Sequence, residues 1–268
     1  MGASPPKHSV TYSAKTDIFS PRGDDMEREI ARLNWHEFKQ TVENIDGVIL
    51  PVGTVEVHGC TNLGTDITIP EFLAKKLADR LDLLIAPTIN YGITRTLLPY
   101  AGSMTVSPES FENYAHDVAV SLVESGFKFV VFLNGHGGHI DELARLALKL
   151  WRETGAKSIV LHWWQFCEPL TREILGESGG HSALDETYMV MAADESLVAP
   201  ELSTPETTFL VREGAYPYPN AGLILQYKEG EGTPRFDKDE ADRYAEAVVD
   251  YIERYIREVL AGWLQNGV

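Results

Sequence analysis

Six side chains able to ligate a metal fall in three short segments of this sequence: Glu56, His58 and Asp66, then His136, then His181 with Glu186. Glu56 and His58 are two apart, so in an extended segment both side chains leave the same face. A carboxylate beside an imidazole suits a divalent cation. Alone, the pair also fits a solvated carboxylate next to a hydrogen-bonded loop histidine. The other two segments argue for the metal. A carboxylate such as Asp66 can bridge two cations while the remaining oxygens and imidazole nitrogens complete two adjacent sites. Cations about 3.5–4 Å apart can share a water, lower its pKa toward neutrality and clamp the oxygen of an attacked carbonyl.

The surrounding elements follow one rhythm. Val48, Ile49, Leu50 and Val52 form an apolar, β-branched run, as expected of a strand over 46–52 buried on both faces. Gly53 breaks it just ahead of Glu56. Phe127–Leu133 (FKFVVFL) is a second such strand and runs into Asn134-Gly-His-Gly-Gly-His139, where glycines permit a tight turn and close backbone approach. Further strands are expected at 83–89 and at Ser158–Trp164 (SIVLHWW). Helical periodicity covers 69–81 with Pro70 in its first turn, 107–125 opened by Ser-Pro-Glu, 140–154, 185–193 and 236–264. Shorter helices are expected at 24–33 and 35–43. Strands alternating with helices predict an α/β fold, a mostly parallel sheet covered on both sides. Ligands of such sheets collect beyond the carboxyl ends of the strands, where Glu56, His58 and His136 fall.

Residues 1–23 are rich in Ser, Pro and Gly and read as a flexible arm before one domain over 24–268; the mixed stretch 203–235 reads as a hairpin or flap. The irregular 90–106 reads as a long loop near the site. With a net charge of −17, the surface repels phosphate backbones and anionic lipid, so neither nucleic acid nor membrane is an expected partner. Two cysteines, Cys60 and Cys167, are too few for a disulfide framework, and no apolar run reaches membrane-spanning length. A cytoplasmic protein is the expectation. Cys60 has no base placed beside it and reads as a small apolar filler. The glycines after Asn134 lack the spacing of a dinucleotide fingerprint, and His139 reads either as a support behind the metal ligands or, more simply, as the first residue of a helix.

The string V-G-T-x-E-x-H-G…G-T-D, then F-L-N-G-H-G-G, then G-H-S-A-x-x-E-T resembles the creatininase (creatinine amidohydrolase) family over most of 33–200. The resemblance implies a three-layer α/β/α fold, two divalent ions (zinc, manganese or iron) and a homo-oligomer, with a hexamer as one form. It puts Glu56, His58, Asp66, His136 and Glu186 on metal-ligand positions and His181 on a proton-donor position. There are departures. The stretch from Glu56 to Asp66 is one residue shorter than the family pattern, and Thr61 replaces a second histidine. Gly138 stands where creatininase itself has a metal-facing glutamate, and 94–102 (TRTLLPYAG) lacks a histidine common there.

These features predict a hydrolase in which a metal-bridging hydroxide attacks the carbonyl of a small cyclic substrate and His181 protonates the leaving group. By the resemblance, that substrate is a cyclic amide or an inositol-derived cyclic diketone such as 3-dehydro-scyllo-inosose; creatinine and formamides are the alternatives. Thr61 and Asn62 would contact it through neutral hydrogen bonds, and Trp163 and Trp164 would wall its ring, one of the pair being better suited to the core. Tyr216, Tyr218 and Trp263 look exposed and would serve subunit contacts. A metal-binding sensor or assembly protein is the reading from another class.

Overall fold

The computed structural model describes residues 26–203, 215, 218 and 230–267. The arm expected over 1–23 and most of the flap expected over 203–235 lie outside them. Among the described residues, four parallel strands form one sheet in the order β2-β1-β3-β4: β1 is Gly47–Val52, β2 Leu84–Ile85, β3 Phe129–Asn134 and β4 Lys157–His162. Register aligns Val52 with Asn134 and Asn134 with His162, so three strands end on one line.

Because successive residues of a strand face opposite sides, the apolar runs feed two cores. Val48, Leu50, Val130 and Phe132 pack against α3 (Pro108–Glu124) and α4 (Ile140–Thr154) through Phe111, Ala115, Leu143 and Leu146. Ile49, Val131, Leu133 and Leu161 pack on the other side against α2 (Thr65–Leu81), α5 (Trp163–Leu175), α6 (Leu184–Ala193) and α7 (Lys238–Asn266). The result is a three-layer α/β/α sandwich. Ahead of β1, Asn34 caps the short α1 (Trp35–Val42) with a capping box closed by Glu37. Among the described residues, no helix is long and apolar enough to cross a membrane.

Four expectations need correction. The helix expected over 24–33 is a single turn at Ile30–Arg32, because Glu29 pairs with Ile85 at the sheet edge instead. The strand expected at 83–89 is reduced to β2, rejoining the sheet only at the Val52–Ile89 bridge. α2 begins at Thr65 rather than Ile69, which leaves Pro70 inside the helix. Trp163 and Trp164 open a helix rather than end a strand. Trp163, Cys167, Thr171 and Leu175 recur four apart and are the buried residues of α5, while Pro169 lies on its exposed side.

Candidate metal centre

The three segments meet where β1 and β3 end. Glu56 and His58 ride the loop after β1, which is tied down by hydrogen bonds from Glu56 N to Leu63 O (3.0 Å) and from Met104 N to Val55 O (2.9 Å). Asp66 sits in the first turn of α2, where the helix N-terminus favours a carboxylate. Two glycines admit its backbone: a Cβ on Gly53 would stand 2.4 Å, and one on Gly135 2.2 Å, from the Asp66 carbonyl oxygen. Pro70, four residues on, has no N–H to offer that carbonyl. Early helix start, internal proline and paired strand-end glycines are thus one packing solution. His136 follows Gly135, and Glu186 lies in the first turn of α6. Ser182, in left-handed backbone at φ 55°, donates its N–H to Glu186 Oε2 at 2.7 Å.

Asp66 divides its carboxylate between two histidines. Oδ1 lies 3.0 Å from His58 Nε2 and Oδ2 2.9 Å from His136 Nδ1. Glu56 Oε1 is 3.2 Å from the same His136 nitrogen, and Glu186 Oε2 is 3.8 Å from His58 Nε2. Two donor sets result, Glu56–Asp66–His136 and His58–Asp66–Glu186, with the donor atoms of each set within 4.8 Å of one another. Glu56, His58 and His181 make a third set of the same kind, through His181 Nδ1 at 3.9 Å from Glu56 Oε1. The outer nitrogens are spoken for: His58 Nδ1 donates to the Glu56 carbonyl (3.1 Å) and His136 Nε2 to that of Ile93 (2.8 Å). Each inner nitrogen is therefore the one aimed at the carboxylates, where it carries a proton without metal and would offer its lone pair to an ion, the usual arrangement of a metal-bound imidazole. Neither His58 Nε2 nor Asp66 Oδ2 completes a hydrogen bond of acceptable geometry, though both residues are buried. Cations between these groups would satisfy all of them.

Charge makes the same point. Burial alone would lower the His58 pKa, but Asp66 and Glu186 outweigh it and lift the imidazole to about 10. Burial is likewise overcome at His136, which Glu56 and Asp66 raise, and at Asp66 and Glu56, which the histidines lower. Burial pushes Glu186 well up. Burial and then the charge of His58 drive His181 down to about 4, so this imidazole is neutral.

A cavity of about 1160 Å³ opens onto the cluster. Glu56, Asp66, His136, His181, Glu186 and Trp164 line it. Three expected substrate contacts fall elsewhere. Trp163 is fully buried in the core beneath the sheet. Thr61 spends its hydroxyl on the His58 carbonyl (2.9 Å) and on Thr65 Oγ1 (2.7 Å), and Asn62 donates to Thr68 Oγ1 (3.1 Å), so both brace the loop. Of the aromatics expected at subunit contacts, Tyr218 lines the cavity, Trp263 packs edge-on against Phe129, and Tyr216 lies outside the described residues. Cys60 is buried, as a filler should be.

Sequence reasoning passed over Thr94, whose hydroxyl donates to Glu56 Oε2 at 3.0 Å, and Arg95 on the cavity wall. No local pattern marks either, since a loop brings them in. Asn134 lies in the N-G-H-G-G-H string, which marks His136 and His139 but gives the amide no role of its own.

The family model for creatinine amidohydrolase matches residues 31–256. The chain belongs to the creatininase family. A creatinine amidohydrolase of Pseudomonas putida is 28% identical over 191 residues, 63% of this chain and 73% of that protein. A mycofactocin precursor peptide peptidase of Mycobacterium tuberculosis is 30% identical over 125 residues, 40% of this chain and 47% of that protein. A 3-dehydro-scyllo-inosose hydrolase of Thermotoga maritima is 29% identical over 111 residues, 39% of this chain and 34% of that protein. The match thus spans less than half the length of the last two. A solved creatininase with manganese shares the fold at a TM-score of 0.73 and 23% identity, over 87% of this chain and 98% of that one. These creatininase relatives are hydrolases, and the donor sets around Asp66 suit a divalent metal.

Proposed function

We propose that this creatininase-family protein is a dinuclear metal-dependent hydrolase that adds water to the carbonyl of a small polar substrate. The observation that carries the reading is Asp66, one carboxylate whose two oxygens face two separate donor sets. Glu56, Asp66 and His136 would hold one ion; His58, Asp66 and Glu186 the other. Bound there, the ions would supply Lewis acidity toward a carbonyl and acidify water at neutral pH. The chain's own residues do the rest. Gly137, on the cavity lining, keeps the space in front of Trp164 clear. Trp164 offers an apolar wall. His181, neutral and on the cavity lining, takes a proton from the attacking water and hands it to the leaving group.

The substrate class that best suits the family and the carboxylates and imidazoles on the cavity lining is a cyclic amide or an inositol-type cyclic diketone. Hydrolysis of a peptide-type amide is the second reading, favoured by the cavity: about 1160 Å³ exceeds the roughly 300–1,000 Å³ usual for small-molecule sites. A homo-oligomer is the state the family resemblance suggests, and a light-scattering mass above the monomer's 29.8 kDa tests it. For the activity, the zinc- and manganese-loaded protein is assayed on creatinine, formamides, 3-dehydro-scyllo-inosose and short peptides. Metal-dependent turnover of any one supports a hydrolase and names its class. A protein that binds metal and turns over none of them is a sensor or assembly protein instead.

A further inference from the structure

We propose that His139 is a positioning residue for the metal centre: it grips the Ile93 amide, whose carbonyl holds His136 with Nδ1 turned toward Glu56 and Asp66. This role presupposes the dinuclear reading above. His139 is fully buried, and both its nitrogens are used. Nδ1 lies 3.1 Å from Asn134 Oδ1, an oxygen that only accepts, so Nδ1 carries the proton. The orientation of that amide is itself fixed, because Oδ1 also accepts from His136 N (3.1 Å) while Nδ2 donates to the His136 carbonyl (2.7 Å). His139 Nε2 is then bare, and it accepts the Ile93 N–H at 3.1 Å.

The carbonyl of the same Ile93 accepts His136 Nε2–H at 2.8 Å. A carbonyl cannot donate, so the proton stays on Nε2 and Nδ1 is left for the ion. Two glycines make room for the relay. A Cβ on Gly92 would stand 1.9 Å from His139 Nε2, and one on Gly138 2.1 Å from the Ile93 oxygen. Phe111 stacks on the His139 ring, centroids 4.2 Å apart and planes 12° from parallel, which holds the ring in this plane. The relay is one-sided. His58 takes its own orientation from the Glu56 carbonyl, so the set of His58, Asp66 and Glu186 does not depend on His139. A residue that merely filled space would not discriminate between the two sets.

His139→Phe keeps the ring against Phe111 and removes both hydrogen bonds, whereas His139→Gln returns an acceptor to the Ile93 amide. Two measurements are made on each protein: hydrogen exchange of the Ile93 amide in the metal-free state, and zinc affinity by competition with a chromophoric chelator. The relay predicts a slow Ile93 amide in the wild type. In the Phe variant that amide exchanges faster, one of two zinc equivalents weakens by about 10- to 100-fold, and the other is unchanged; Gln restores most of the loss. An Ile93 amide in the wild type that exchanges like a surface amide would overturn the relay. So would a Phe variant that binds both equivalents as tightly as the wild type, or weakens both alike. If the Phe variant does not fold, the exchange rate in the wild type and the zinc affinities of the Gln variant decide. A wild type that takes up no zinc would defeat the dinuclear reading and with it the role of His139 at the centre; Ile93 exchange, read without metal, separates that outcome from a failure of the relay's own hydrogen bonds.

Discussion

A Cβ on Gly138 would stand 2.1 Å from the carbonyl oxygen of Ile93. That oxygen is where His136 anchors its outer nitrogen, so the loop after β3 and the long loop 90–106 close on the same point. A side chain has no room at this position, because the Ile93 carbonyl fills the space a Cβ would need. Gly138→Ala is predicted to push Ile93 off His136, costing about 1–3 kcal/mol of stability, the usual range for an overfilled interior. Urea unfolding of the metal-free variant measures it, and a midpoint equal to the wild type's would contradict the packing described.

Metal uptake should release protons. His58, lifted to about 10, and His136, also raised, both carry a proton at pH 7.5 when no metal is present, and metal must displace it. Calorimetric titrations in buffers of different ionisation enthalpy would count them; uptake without proton release would contradict these assignments. The same shift sets a stability window. A folded pKa raised above the unfolded value of 6.5 contributes stability that is complete below 6.5 and disappears as pH rises toward 10. Lowered groups such as Asp66 act on the acid side, stabilising above 3.8 and losing that as pH falls. Metal-free protein should therefore lose stability from pH 7 to 10, and added zinc should abolish most of that loss.

His181→Gln is expected to lower kcat by about 10²- to 10⁴-fold, the scale of a lost proton-transfer group. Because His181 lies outside both sets that share Asp66, metal content should stay at the wild-type level. Activity and metal lost together would reassign it as a ligand, through the third set with Glu56 and His58.

The two adjacent tryptophans should separate cleanly. Trp163→Ala removes a fully buried core side chain and is predicted to cost about 3–5 kcal/mol of stability. Trp164→Ala, half-buried on the cavity wall, should cost clearly less stability than Trp163→Ala and raise KM. Thermal unfolding and steady-state kinetics on both variants check this; equal destabilisation would remove Trp164 from the cavity wall.

The strands, their parallel order and the meeting of Glu56, His58, Asp66 and His136 at their ends were legible because apolar β-branched runs and glycine breaks are local signals. What escaped was set by neighbours. Pro70 reads as a helix start, and only the packing of Asp66 between Gly53 and Gly135 lets α2 begin at Thr65. The run SIVLHWW reads as one strand, yet the chain turns at His162 so that Trp163 can enter the core. Thr61 and Asn62 sit inside the metal motif but point into their own loop, a direction that spacing does not encode. Spacing leaves His139 between a support for the ligands and a helix opening, because its partner Ile93 is 46 positions away.

The central claim is that one carboxylate serves two ions, and elemental analysis of Asp66→Ala beside the wild type and Glu186→Gln tests it. After zinc loading and gel filtration, the wild type should hold two zinc ions per chain and Glu186→Gln about one, because only the His58 set loses a ligand. Asp66→Ala should hold close to none, since both sets lose their shared oxygen donor. Two zinc ions retained by Asp66→Ala would contradict the account.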